Sequence, residues 1–357
     1  MTKNSVPKVP SLCGQKNMLK TLLLFLLSFP AFSQLAILPH PAVVKPERGN
    51  FSLRAGLRVW ASPACANERQ LLDDYWKQAG LPPLTPATKP KASDIQLLVD
   101  GARYEALGTE GYELRVSPRR IVVAGASSAG VFHGLQTLRQ LLPTMGVDAV
   151  VPAILVRDKP RFSWRSFTLD EGQYPGGIET LKKLLDELAL LKFNRFQWSM
   201  AATRDTPTIY TLDEVDRIKQ YGRARHIHVD IRPASPSAAY SWANGNTTDL
   251  LKTIKSGQDA VVSTTSETHL SASLAQLPLD RVYRFEPIPD QLPEDLLPRM
   301  LGVNYTFLSE VPPTSERLFS QLHPRLAAAA EVAWTFQQDK KWNRFQQALE
   351  QFTKRWW

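Results

Sequence analysis

The sequence predicts an α/β protein in two parts: a small α+β domain, then a domain in which strands alternate with helices. Three observations carry this. Arg165 to Trp198 reads as strand, helix, strand. Leu35 to Leu155 reads as short strands mixed with two helices. A short apolar run close to the N-terminus stands apart from both. At 357 residues, 43% of them hydrophobic and 22% charged, the chain can bury two cores.

The leader comes first. Lys16 and Lys20 precede the apolar run Leu22 to Phe29, and Ala31-Phe32-Ser33 has the small-x-small form of a cleavage site before Gln34. Residues 1–33 therefore read as a signal peptide, and export to the periplasm or the extracellular space is expected. The run is too short for a stable membrane span, so none is expected once the leader is removed. Cys65 is the one cysteine after the leader, so no intramolecular disulfide is expected. Four of the nine excess positive charges are the leader lysines Lys3, Lys8, Lys16 and Lys20. The rest are scattered with no basic run, so no nucleic-acid partner is expected.

The α+β domain is placed at 34–156. Phe51 to Trp60 is a strand region, and Glu68 to Gln78 a helix stopped by Gly80 and Pro82-Pro83. Leu81 to Lys91, with four prolines, reads as a surface loop. Ile95 to Val99, Gly111 to Val116 and Arg120 to Val123 read as strands, the last two joined by the hairpin Ser117-Pro118-Arg119. Ser127 or Ser128 caps a helix with Val131, Leu135, Leu138 and Leu142 on its apolar face. His133 lies inside it with no metal-type ligand three or four residues away, and reads as a packing or surface residue. Ile154 to Val156 is the last strand, and Asp158-Lys159-Pro160 a turn.

The second domain is placed at 157–357. Ile178, Leu181, Leu184, Leu185, Leu188 and Leu191 recur at helical spacing between strands at Arg165 to Leu169 and Phe193 to Trp198. Parallel pairing with a right-handed crossover follows. Thr211 with Glu214 has capping-box spacing, so TLDEVDRIKQYGRARH is a helix. Further strands are expected near Ile227, Ala260 and Val303. Thr247 or Thr248 opens a short helix through Ile254, and Thr314 or Ser315 opens a helix leading to Glu331. That makes about five or six βα units, against the eight of a closed barrel.

Several stretches resemble one family. DKPRFSWRSFTLD from Asp158 and KFNRFQW from Lys192 are similar to the opening of the catalytic barrel of glycoside hydrolase family 20, the β-N-acetylhexosaminidases. LPHP at Leu38, EGYELRV at Glu110 and SSAGVFHGLQTLRQLL at Ser127 resemble the α+β domain that precedes that barrel. YTLDEVDRIKQYGRARHIHVDI resembles its third strand with the helix before it, and SGQDAVVSTTSETHLS, VYRFEPIP, LGVNYTFLSE and HPRLAAAAEVAWT resemble its last third. The resemblance implies a TIM-type (β/α) barrel, here truncated or incomplete, preceded by a small α+β domain.

It also implies release of terminal N-acetylhexosamine from glycans by substrate assistance, without a metal or cofactor. The family is an exception to the two-carboxylate scheme. The substrate's 2-acetamido oxygen attacks the anomeric carbon, an Asp orients the acetamido group, and the adjacent Glu protonates the leaving oxygen. That pair belongs at the end of the fourth strand. Between Ile231 and Asp249 this chain has only PASPSAAYSWANGNTT, and no His-x-Gly-Gly-Asp-Glu stretch occurs. The fourth and fifth strands are expected to be missing, and no catalytic residue is assigned.

Of the Asp-Glu dipeptides present, Asp186-Glu187 and Asp213-Glu214 read as solvated helix faces, and Asp170-Glu171 ends a barrel strand. The sugar-contact positions of the family correspond to Gln173, to Gln197 through Ala202, to His269 and Ser271, and to Leu308. Glu310 retains a carboxylate and is assigned to substrate binding. Trp164, Trp198 and Trp334 read as core residues. His226 and His228 alternate at a strand start and point the same way, a spacing that can hold a metal with a carboxylate from elsewhere, but no metal site is assigned. Little or no hydrolysis is expected. The alternatives are a non-catalytic exported protein that binds a glycan or another partner, and a non-functional deletion product. A glycan or N-acetylhexosaminide is the expected ligand, and a homodimer through the open barrel edge the expected assembly.

Overall fold

The computed structural model describes Met1 and residues 36–143, 149–171, 176–200, 209–232, 241–243, 247–308 and 315–357, without the side chains of 232 and 241–243. Gln34–Trp357 forms one compact unit. Its chain builds one sheet, passes over at Lys159–Ser163, and builds a second.

The first sheet uses β1 (Val43–Ser52), β2 (Arg58–Ala61), β3 (Thr85–Pro86), β4 (Ile95–Val99), β5 (Tyr112–Ser117), β6 (Arg120–Gly125) and β7 (Val150–Asp158), in the order β1-β7-β5-β6-β4-β2-β3. Its helices are α1 (Ala66–Gln78), the single turn α2 (Gly101–Tyr104) and α3 (Ser128–Leu141). The β5–β6 hairpin closes as expected, with Ser117 Oγ accepting from Arg120 N at 3.1 Å. Ser127 caps α3, its Oγ accepting from Ala129 N. Helices α1 and α3 form a middle layer. Leu72, Trp76, Val131, Leu135 and Leu138 pack on this sheet, while Leu71, Tyr75 and Phe132 pack toward the second half.

The second sheet uses β8 (Trp164–Asp170), β9 (Arg195–Ser199), β10 (His228–Arg232), β11 (Ser241–Ala243), β12 (Ala260–Val262) and β13 (Met300–Leu308). All pairs are parallel, in the order β10-β9-β8-β13-β12-β11. Its helices are α4 (Ile178–Leu190), α5 (Leu212–Arg223), α6 (Thr247–Lys255), α7 (Leu279–Arg284), α8 (Ser315–Leu322), α9 (Arg325–Trp334) and α10 (Trp342–Trp356). This is the strand order of a (β/α) barrel whose first strand lies beside its last. Among the described residues no pairing joins β10 to β11. Leu181, Leu184, Leu185 and Leu188 of α4 are fully buried, each stabilising by about 1.5–3 kcal/mol. The capping box of α5 is present, with Glu214 N donating to Thr211 Oγ1 and Thr211 N to Glu214 Oε2.

Several elements depart from expectation. The Leu81 to Lys91 loop contains the two-residue strand β3, and α2, α7 and α10 lie where no helix is expected. β1 escapes the pattern because it is an exposed edge strand interrupted by Pro46 and Gly49, with a register shift against β7. β11 lies inside the stretch expected to be only a polar connection, and makes the sixth strand. The single helix expected to lead to Glu331 is two, α8 and α9, divided at His323-Pro324.

Candidate functional site

A parallel barrel offers its strands' C-terminal ends for chemistry. Residues of one parity on each strand face the helices: Phe167, Leu169, Phe196, Trp198, Val303, Tyr305 and Phe307 are all core. The opposite parity faces inward, and register stacks it in layers. Ser166 lies beside Arg195 and Asn304, Thr168 beside Gln197 and Thr306, and Asp170 beside Ser199 and Leu308.

These layers are polar where a closed barrel is usually filled by branched aliphatics. The Thr168 hydroxyl lies 2.8 Å from Gln197 Oε1 and 2.9 Å from Asn304 Oδ1. Ser166 Oγ donates to Asn304 Oδ1 at 2.8 Å and accepts from Trp164 Nε1 at 2.8 Å. Asn304 Nδ2 donates to Thr306 Oγ1 at 3.0 Å. Farther from the strand ends, Arg195 lies over the Trp164 ring and 3.7 Å from Asp230. The alternation of polar residues in RSFTLD, RFQWS and VNYTFL is the sequence signal for this network, a signal that local motifs do not carry.

The Asp-Glu dipeptide at the end of β8 splits between the two sides. Asp170 is half-buried at the inner rim. Glu171 is 1% exposed, and its carboxylate accepts from Gly176 N at 2.7 Å, Tyr210 OH at 2.8 Å and Trp198 Nε1 at 2.9 Å. Burial, then the Glu171 charge, raises the Tyr210 phenol well above its usual range, so it stays a donor. Glu171 thus ties the end of β8 to Gly176 ahead of α4, to β9 and to Tyr210 ahead of α5.

Of the helical dipeptides, Asp213-Glu214 is a solvated face, with the Asp213 side chain 81% exposed, whereas Asp186-Glu187 is not. Asp186 accepts from Tyr221 OH and Arg225, tying α4 to the end of α5. Glu187 is buried and lies 2.7 Å from His323. Glu214 belongs to the α5 cap.

The aligned sugar-contact positions divide. His269 and Ser271 come together, Nδ1 to Oγ at 3.3 Å, on a segment paired with Thr306 of β13. Leu308 ends β13 beside Asp170. Gln173, Ala201, Ala202 and Glu310 lie outside the described residues, as does the side chain of Trp242. Trp164, Trp198 and Trp334 are core. His226 and His228 do not form a pair. His226 has φ +54, which breaks strand alternation, and it bonds Glu68 at 2.6 Å, while His228 is 65% exposed beside Asp230. Among the described residues no cluster of His, Cys, Asp and Glu could hold a metal, and no helix is long and apolar enough to cross a membrane.

Behind the sheet a buried polar cluster joins the two halves. Arg165 donates to both Glu110 oxygens at 2.6 and 2.9 Å. Burial alone would raise the Glu110 carboxyl, but Arg165 and His133 hold it far below its usual range. Lys192 lies 3.1 Å from Asp158, which also accepts from Tyr112 OH and Trp334 Nε1. His133 is fully buried with its pKa pushed down to about 4 by burial.

Known proteins match both halves. The family model for "Glycosyl hydrolase family 20, domain 2" matches residues 34–159, and that for "Glycosyl hydrolase family 20, catalytic domain" matches 162–207 and 231–337. A β-hexosaminidase of Porphyromonas gingivalis is 33% identical over 144 residues, 38% of this chain and 18% of its own length. One of Vibrio furnissii is 31% identical over 167 residues, 46% of this chain and 26% of its own. The match thus spans only about a quarter or less of these relatives. Among solved structures, Streptomyces plicatus N-acetyl-β-hexosaminidase in complex with Thio-NAglucal superposes with TM-score 0.76 at 18% identity, covering 88% of this chain and 93% of that one. The family 20 β-N-acetylhexosaminidase of Streptomyces coelicolor gives TM-score 0.78 at 18% identity, covering 90% and 96%. These likenesses are of fold. Together the two family models take in more than half of the sequence, and the chain belongs to glycosyl hydrolase family 20.

Proposed function

We propose that this chain is an exported hexosaminidase-type protein that holds the N-acetylhexosaminide end of a glycan and does not cleave it. The carrying observation is the interval between Ile231 and Asp249, which contains no Asp-Glu pair. A general acid must reach the leaving oxygen at hydrogen-bond distance. At the end of β8, Glu171 offers no substitute, because it is buried against Trp198 and Tyr210, which leaves Asp170 as the carboxylate at the inner rim. Binding falls to the polar inner layers and to Glu310, which the family resemblance assigns to sugar hydroxyls. Losing the other sugar contacts weakens specificity first, because each convergent donor contributes to discrimination. Export rests on the leader at 1–33.

The test is hydrolysis of a chromogenic β-N-acetylglucosaminide by the purified protein, with binding of N-acetylglucosamine followed by saturation-transfer NMR. The expected outcome is release at the buffer rate together with a saturation signal that Glu310→Ala removes. Turnover above buffer that Asp170→Asn or Glu171→Gln abolishes would sink the non-cleaving reading. A missing saturation signal would sink the binding one.

A further inference from the structure

β10 is an edge strand among the described residues. His228 N donates to Asn194 O at 2.9 Å, which sets its parity. Residues alternate along a strand, so Val229 and Ile231 direct their N–H and C=O groups away from β9. Ile227 N is already taken by Gly222 O at 2.9 Å. A groove of about 610 Å³ runs along this edge. Ile227 and Val229, both buried, and half-buried Ile231 line it along the strand with His226 and His228, and Lys219 and Arg223 of α5 form its flank. The α5 ion pair is Arg217 with Asp213, and Arg225 just beyond pairs with Asp186; Lys219 and Arg223 form none among the described residues. Asp230, the acid in the groove, is engaged by His228 at 2.8 Å and Arg195 at 3.7 Å. Among the described residues, therefore, the outward backbone groups of Val229 and Ile231 have no partner strand, and Lys219 and Arg223 beside them have no ion pair.

We infer that this edge accepts an extended acidic segment of another protein as an added β-strand. Main-chain pairing to Val229 and Ile231 supplies affinity, and Lys219 and Arg223 select glutamate or aspartate at alternate positions. A second copy suits the edge less well. Antiparallel self-pairing would lay α5 beside its own copy and bring the Lys219 and Arg223 stripes together, a like-charge contact. The inference does not rest on the proposed function, since it uses the outward backbone of Val229 and Ile231 and the α5 flank, not the strand ends or Glu310.

The probes are two fluorescein-labelled hexapeptides, one alternating glutamate with valine and one alternating lysine with valine, read by anisotropy on the full chain. The glutamate peptide is expected to bind at least about ten-fold tighter, with the preference inverted by Lys219→Glu with Arg223→Glu. N-methylation of every second amide is expected to weaken the peptide about ten-fold or more, because it blocks ladder bonds while leaving charge intact. Ile231→Pro removes an outward donor at an edge, where proline is tolerated, and is expected to do the same with the melting midpoint kept. Equal binding of the two peptides, absence of binding, or indifference to N-methylation would overturn the inference. So would a concentration-dependent dimer that Ile231→Pro dissolves, which would give the edge to a second copy.

Discussion

Arg165 shows how one side chain ties the two halves. It belongs to the first strand of the parallel sheet, yet its guanidinium is spent on Glu110 of the other half and on the Lys192 and Phe162 carbonyls. Breaking a buried pair from one side leaves an uncompensated charge. Glu110→Gln is therefore expected to cost about 3–5 kcal/mol by urea denaturation. The histidines set a pH dependence. Burial pushes His40 and His133 down from 6.5 to about 4. As pH falls below 6.5 the unfolded chain takes up protons that the fold refuses until about pH 4, so stability is lost through that window. Glu110, held low in the fold, adds loss below its ordinary 4.5. Urea midpoints are expected to fall between pH 7.5 and 4.5, and to fall less steeply in His133→Gln.

At the scale of elements, α5 docks on β10 through a glycine. A Cβ at Gly222 would collide with Val229 Cγ2 and meet the Ile227 carbonyl at 3.0 Å. Gly222→Ala is expected to destabilise by about 1–3 kcal/mol, with part recovered by adding Val229→Ala, as a double-mutant cycle in urea would measure. Elements with a local signature were legible. The Thr211 box, the leucine face of α4 and the Ser117 hairpin are written in neighbouring residues. Elements made by distant partners were not: β1 gains its strand character from β7, and β11 from β12. The candidate site divides the same way. That no Asp-Glu dipeptide lies between Ile231 and Asp249 is visible in the letters, whereas the inner network of Thr168, Gln197 and Asn304 needs the register of three strands to assemble. Likewise the role of Glu171 depends on Tyr210, 39 residues away.

For the whole molecule, the halves share their polar cluster, and the α1–α3 layer feeds both cores. Far-ultraviolet dichroism and tryptophan fluorescence are expected to report a single coincident urea transition. Two separated transitions, or a broad non-cooperative one, would fit a deletion product without a settled core. The C-terminus adds to the joining. Arg355 donates to the Arg139 and Gln140 carbonyls at the end of α3, and Trp357 stacks on His323 at 3.8 Å.

The neighbours of β8 carry a consequence for synthesis. One is β9, which follows soon after, and the other is β13, which begins only at Met300. On the ribosome the first strand of the parallel sheet therefore waits for the last, a long-range closure of the kind that slows folding. Nascent chains arrested before Met300 are expected to be cut readily by protease beyond Asp158, and chains released at full length to resist. The emergence of a single late strand thus sets when this protein stops being a thread and becomes a solid.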